Sequence, residues 1–148
     1  MTTALLTDRY ELTMVQAALR SGKADRQTGF EVFTRSLPAG RRFGVLAGNG
    51  RLLDAVRNFR FKQEEIAFLL KNEIVDDSTA AWLENFRFNG NIFGYQEGEL
   101  FFANSPVLRV EGSFAEAVIL ETVILSILNY DSAVASAAAR MRYAAGDR

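Results

Sequence analysis

The chain has 148 residues, of which 49% are hydrophobic, and a formal net charge of −1 at pH 7. This length and composition predict one packed globular domain, and the near-neutral charge argues against a broad nucleic-acid-binding surface. Cysteine and histidine are both absent, which excludes a disulfide framework, a Cys nucleophile and a Cys/His zinc site, and leaves acid–base chemistry to Asp, Glu, Tyr or Lys.

The first predicted element is an amphipathic helix from about Arg9 to Arg20. Asp8 is a plausible N-cap, and Glu11, three residues later, completes a capping-box pattern. Ser21-Gly22 should end the helix. Its first turn brings the Tyr10 hydroxyl together with two carboxylates, close to the N-terminus, where a chain can reach into a neighbouring subunit's pocket.

A strand is predicted over residues 30–35, with residues 42–47 as its partner after a Pro-Ala-Gly turn. Three helices should follow, over residues 49–58, 63–71 and 78–85. The tetrapeptide Asn-Phe-Arg-Phe occurs twice, at the end of the first and of the third of these helices. We interpret both copies as Phe anchors that close a helix onto the core, with Arg57, Arg60 and Arg87 mostly solvated.

Short strands are predicted next, over residues 91–95, 99–103 and 107–110, and the chain should end in two helices. The first helix, over residues 115–128, is apolar nearly all round, and Asp131-Ser132 can cap the second. Glu121 lies in the apolar helix and needs a partner, for which Arg140 or Arg142 is the natural candidate.

This order of elements predicts an α+β fold with an N-terminal helix, a small, mostly antiparallel sheet and packed helices. The apolar stretches near the C-terminal end are interrupted by Glu121 and Ser126 and are too short to span a bilayer. No signal peptide is visible at the N-terminus, so we expect a soluble cytoplasmic protein with no membrane partner.

One segment carries most of the functional information: Leu6-Thr7-Asp8-Arg9-Tyr10-Glu11-Leu12-Thr13-Met14. It resembles the N-terminal signature of the nicotinate phosphoribosyltransferases. Other segments similar to that family follow in the same order, at residues 30–38, 85–90, 97–98, 106–112, 120–129 and 138–142. Because several colinear segments agree, the resemblance is specific and covers the whole chain.

The resemblance implies an enzyme that joins nicotinate to phosphoribosyl pyrophosphate, giving nicotinate mononucleotide and pyrophosphate, with coupled ATP hydrolysis. Members of this family are much longer, place an N-terminal α+β domain beside an irregular α/β barrel, and work as homodimers with active sites at the subunit interface. Their phosphorylated histidine lies in the barrel, which would follow Arg148 of this chain.

We therefore expect residues 1–148 to be the N-terminal domain without its barrel, with no catalytic residue and no activity on its own. Mg²⁺ and ATP are implied by the family alone, and no metal site is expected in this chain. Whether Arg148 is a natural end, a cleavage site or a cloning boundary stays open on the sequence.

Three substrate-binding residues follow from the resemblance. Tyr10 matches the tyrosine that stacks on the pyridine ring from the partner subunit; the alternative is a half-buried residue at a helix start. Asp8 would orient the ligand or an active-site arginine, although its capping role alone would explain it. Arg35 would contact phosphate, with Arg41 and Arg42 nearby, unless it is only a solvated strand end.

Two rival functions stay open on the sequence alone. The first is a nicotinamide- or quinolinate-using relative, because the choice among these substrates depends largely on barrel residues. The second is a stand-alone domain that only dimerises and has no catalytic role.

Overall fold

A computed structural model describes residues 4–148; residues 1–3, with which the predicted domain begins, lie outside the described residues. The helices are α1 (Arg9–Arg20), α2 (Asn49–Arg57), α3 (Gln63–Lys71), α4 (Asp77–Glu84), α5 (Phe114–Val118) and α6 (Glu121–Ala145). The strands are β1 (Gln27–Val32), β2 (Gly44–Val45), β3 (Asn91–Gly94), β4 (Leu100–Phe101) and β5 (Leu108–Ser113). Both sheets that they form are small and antiparallel, and the predicted α+β fold is confirmed.

Helix α1 has the bounds that its sequence predicts. Leu12 and Val15 are buried. The helix ends at Arg20, with Ser21 as its C-cap, and Gly22 follows with a φ of 67°, which favours glycine. The predicted capping box is wrong, because the Asp8 side chain makes no capping hydrogen bond. The carboxylate of Glu11 instead points into the protein and is fully buried.

The main sheet has the order β1-β5-β3, so that β5, late in the chain, is its central strand. Phe30 of β1 and Ile92 of β3 both lie opposite Val110 of β5 and pack against the core. The predicted pairing of residues 30–35 with residues 42–47 is wrong. Strand β1 finds six partners in β5, whereas β2 is only two residues long and pairs with β4.

One glycine permits a close approach between two parts of the main sheet. A Cβ at Gly90 would lie 2.0 Å from the carbonyl oxygen of Glu111 and 2.7 Å from the ring of Phe88. Because the first of these contacts is with backbone, no side-chain movement could relieve it. Position 90 therefore requires glycine for β3 to lie beside β5.

The two Asn-Phe-Arg-Phe segments pack against each other. The Phe59 ring makes edge-to-face contacts with Phe61 and with Phe86, each at 5.6 Å between centroids, and all three rings are buried. The prediction of Phe anchors is confirmed. Arg60, predicted to be solvated, is half-buried, and burial together with the charge of Arg87 lowers the pKa of its guanidinium.

The C-terminal helices divide differently from the prediction. Helix α5 ends at Val118, and α6 then runs without a break through Asp131 and Ser132, which were expected to begin a separate helix. These two side chains bind other elements instead. The Asp131 carboxylate pairs with Arg51 at 3.1 Å, and the Ser132 hydroxyl accepts a hydrogen bond from the amide of Ala47 at 3.1 Å.

This continuity affects the membrane argument. The helical segment Phe114–Ala145 is long and apolar enough to cross a bilayer, so the argument from short apolar stretches was wrong. Half of its most apolar stretch is buried inside the domain, however. Core helices of soluble proteins can be equally long and apolar. Length and composition are therefore weak evidence for a membrane span.

Candidate functional site

An open groove of about 790 Å³ lies between the start of α1, the segment that follows β1, and one face of α6. Its apolar wall includes Val32, Leu46 and Phe101. The polar and charged residues that line it include Asp8, Tyr10, Arg35, Arg41, Glu121 and Thr122. The structure thus brings all three predicted substrate-binding residues into one groove, and their binding role stays a prediction.

The segment after β1 is held in place by its backbone. The amide of Val107 donates to the carbonyl of Val32 at 2.8 Å, and the amide of Asn104 donates to the carbonyl of Thr34 at 2.8 Å. Arg35 and Arg41 follow on this segment and are exposed. Within residues 4–148, neither guanidinium takes part in an ion pair. Two unpaired arginines beside an open groove are suited to binding an anion.

Tyr10 lies at the edge of the groove with 45% of its surface exposed. Its hydroxyl is hydrogen-bonded to the carboxylate of Glu121, and this bond raises the pKa of Tyr10. Partial burial and the negative charges of Glu121, Glu11 and Asp8 act in the same direction. Tyr10 is therefore a neutral phenol whose hydroxyl is already engaged, while its ring is open to an aromatic ligand.

Glu11 connects α1 to the start of α6. Its carboxylate accepts a hydrogen bond from the backbone amide of Thr122 at 3.1 Å, and also from the hydroxyls of Thr122 and Thr7. Burial raises the pKa of Glu11, and these hydrogen bonds oppose that shift. A sequence signal for this role existed, because Glu11 lies four and seven residues before the buried Val15 and Ala18, on the same helix face.

The predicted pair between Glu121 and an arginine is wrong. Arg140 and Arg142 lie on the same helix as Glu121, and Arg140 is displaced from it by roughly 28 Å along the axis. Arg140 donates to the carbonyl of Phe43 at 2.6 Å, and Arg142 donates to the carbonyl of Gly146. The partner of Glu121 is Tyr10.

Arg148 lies outside the groove, whose lining residues end at Ser136 on α6. It is exposed, and its amide and its Nε both donate to the carbonyl of Ala145, at 3.2 and 3.4 Å. These local contacts leave Arg148 without a role in the candidate site. The expectation that the catalytic histidine of the family lies beyond Arg148 stays a prediction.

The fold and the groove define an α+β domain with an aromatic residue and unpaired arginines at a concave surface. The sequence model described as the nicotinate phosphoribosyltransferase (NAPRTase) N-terminal domain matches residues 5–129. This chain belongs to that family.

Individual relatives agree with this assignment. The chain is 60% identical to nicotinate phosphoribosyltransferase pncB1 of Mycobacterium tuberculosis and 33% identical to the Bacillus subtilis nicotinate phosphoribosyltransferase. Each of these two alignments covers 97% of this chain. The crystal structure of human nicotinic acid phosphoribosyltransferase superposes with a TM-score of 0.87 and 32% identity, covering 96% of this chain. The chain spans only 32%, 29% and 29%, respectively, of these three proteins.

Proposed function

We propose that this chain is the N-terminal domain of an enzyme of NAD biosynthesis that forms nicotinate mononucleotide and pyrophosphate from nicotinate and phosphoribosyl pyrophosphate. The observation that supports the proposal is the groove, whose lining includes Tyr10 and the unpaired Arg35 and Arg41. The names of the relatives favour nicotinate over nicotinamide or quinolinate as the substrate.

The three predicted substrate-binding residues each have a role in this proposal. Tyr10 stacks on the pyridine ring bound by the partner subunit, and such a contact adds about 0.5–1.5 kcal/mol beyond area burial. Arg35 binds phosphate oxygens of the sugar substrate, with Arg41 beside it. Asp8 makes no capping hydrogen bond, and we assign its carboxylate to orienting the ligand or an active-site arginine.

The ATP-coupled part of the reaction needs residues outside this chain. The sequence has no histidine to carry a phosphoryl group, so we expect no turnover by the 148 residues alone. Mg²⁺ commonly neutralises developing charge on phosphate oxygens in such reactions. Residues 4–148 contain no group of three or more acidic side chains that could hold a metal ion, and we assign no metal site to them.

A chimera tests the proposal. The matching 144 residues of the M. tuberculosis relative are replaced by this chain, and nicotinate mononucleotide formation is measured with nicotinate, nicotinamide and quinolinate in parallel. We expect product from nicotinate with the chimera and none from this chain alone. No product with the chimera, although it is folded, would contradict the proposal.

Substitution of Tyr10 in this chimera tests the groove itself. Tyr10→Ala removes the ring and should weaken nicotinate binding by about 1–3 kcal/mol, roughly 5- to 150-fold. The matched control is Tyr95→Ala, because Tyr95 is 38% exposed and lies outside both the groove and α6. An unchanged affinity in Tyr10→Ala would make Tyr10 a packing residue only.

We also propose a homodimer with a shared active site. Its support is a set of exposed apolar side chains on α6, including Tyr130, Val134 and Met141, since exposed apolar patches mark interaction surfaces. Chimeras carrying Tyr10→Ala are mixed with chimeras that lack the barrel histidine. Random mixed dimers should restore about a quarter of all sites. A stand-alone dimerisation domain would associate without restoring activity.

A further inference from the structure

We propose that Glu121 is a positioning residue that fixes the ring of Tyr10 at the groove, and that Glu11 holds the helix turn from which Tyr10 projects. This inference rests on the proposed role of Tyr10 in binding the pyridine ring. Neither glutamate needs to touch the substrate.

Two adjacent contacts carry the argument. Tyr10 and Glu121 line the same groove, and the next residue on each helix forms a direct contact, because the Glu11 carboxylate accepts hydrogen bonds from the amide and the hydroxyl of Thr122. The interaction of the Tyr10 hydroxyl with the Glu121 carboxylate, which raises the pKa of Tyr10, agrees with this placement. The first turn of α1 is therefore joined to the first turn of α6 at two consecutive positions. The buried face of α1 packs against α5 and α4, and these two contacts add a fixed position for its first turn relative to α6.

The two contacts differ in environment, which separates their effects. Glu11 is fully buried and is bonded at both carboxylate oxygens, to Thr122 and to Thr7. The Tyr10–Glu121 contact lies at the half-exposed edge of the groove. The buried contact holds the backbone of the helix start, and the exposed contact holds only the far end of one side chain.

An anchored ring is an advantage in binding. An exposed tyrosine samples several rotamers, and a ligand that stacks on it must immobilise the side chain at a cost in affinity of roughly 2- to 10-fold. The bond to Glu121 restricts the Tyr10 ring before the ligand arrives. Glu121 is thus expected to affect the KM for nicotinate and to have little effect on kcat.

A double-mutant cycle in the chimeric enzyme tests this expectation. Glu121→Ala and Tyr10→Phe should each raise the KM for nicotinate by roughly 2- to 10-fold, and the double variant should be no worse than either one. Glu121→Gln keeps an acceptor oxygen and should restore most of the affinity. Glu84→Ala, which removes an exposed acid at the end of α4 outside the groove, is the matched control.

Independent effects would overturn the proposal. If the two fold-changes multiply in the double variant, or if kcat falls while the KM stays constant, Glu121 acts on the substrate directly and not through Tyr10. Failure of the chimera to bind nicotinate at all would concern the proposed function instead.

A measurement without ligand tests the contacts in this chain alone. Amide hydrogen exchange of residues 9–14 should be faster in Glu11→Ala and close to wild type in Glu11→Gln, which retains an acceptor oxygen. Glu121→Ala should have a smaller effect on the same amides. Unchanged exchange in Glu11→Ala would show that Glu11 does not hold the start of α1.

Discussion

The groove and the phenylalanine cluster are stabilised in opposite ways. Phe59, Phe61 and Phe86 exclude water and contact one another edge to face. Tyr10 and Arg35, by contrast, are exposed, and the segments that carry them are held by hydrogen bonds, from Thr122 to the Glu11 carboxylate and between backbone groups after β1. The phenylalanine cluster stabilises the fold, whereas the groove is the region that we propose binds a ligand. Substitutions in the two regions should therefore be separable by experiment.

The largest effect is expected in the phenylalanine cluster. Phe59→Ala removes a fully buried ring with two aromatic neighbours and should lower the free energy of unfolding by about 3–5 kcal/mol. Denaturant unfolding of this chain measures the loss. Phe68→Ala, on the exposed side of α3, is the control and should stay within about 0.5 kcal/mol of wild type. Similar losses in both variants would contradict the division between core and surface.

The second effect is on binding and not on stability. Arg35→Ala in the chimeric enzyme should raise the KM for phosphoribosyl pyrophosphate by roughly 10- to 150-fold, because hydrogen bonds to charged groups contribute about 1.5–3 kcal/mol. Its unfolding free energy should be unchanged. Arg57→Ala, an exposed arginine on α2 outside the groove, controls for the loss of positive charge. An equal rise in both variants would point to general electrostatic attraction.

Glu11 combines properties of the two regions, because it is buried and also ionisable. Since burial raises its pKa in the folded protein, the folded state holds a proton that the unfolded state releases above about pH 4.3. Stability from this group is present below that pH and is lost as the pH rises through the folded pKa. The free energy of unfolding of Glu11→Gln, relative to wild type, should therefore increase with pH. A difference that stays constant from pH 4 to pH 8 would be evidence against the raised pKa.

The smallest effect separates the two interpretations of Asp8. Because its side chain makes no capping hydrogen bond, Asp8→Ala should change the free energy of unfolding by less than about 0.5 kcal/mol. Ser113→Ala is the matched comparison, since Ser113 does cap α5, and should cost about 1 kcal/mol. Equal losses in thermal or denaturant unfolding would mean that Asp8 caps its helix after all.

The sequence was informative where the determinants are local. The bounds of α1 follow from the spacing of its apolar residues and from Gly22, all within a few turns. The groove residues Asp8 and Tyr10 lie within the segment on which the family resemblance rests. Arg35 could also be predicted as a candidate site residue, because its segment, residues 30–38, resembles the same family.

Long-range partners were not predictable in the same way. Residues 30–35 and 42–47 both have strand propensity, but the preference of β1 for β5 depends on a contact across most of the chain. Asp131 and Ser132 match a helix-capping pattern, and their true partners near α2 give no local signal. The sequence shows that Glu121 needs a partner in an apolar helix, but not that the partner is Tyr10.

The close approach at Gly90 has a genetic consequence. Every amino acid other than glycine carries a Cβ, and any Cβ at this position meets the backbone carbonyl oxygen of Glu111. No missense change of the Gly90 codon is therefore neutral, however conservative its chemistry. Gly50, where an added Cβ has no neighbour within 4 Å, should accept small residues. In a saturation library selected for folded protein, position 90 would retain one residue while position 50 diversifies.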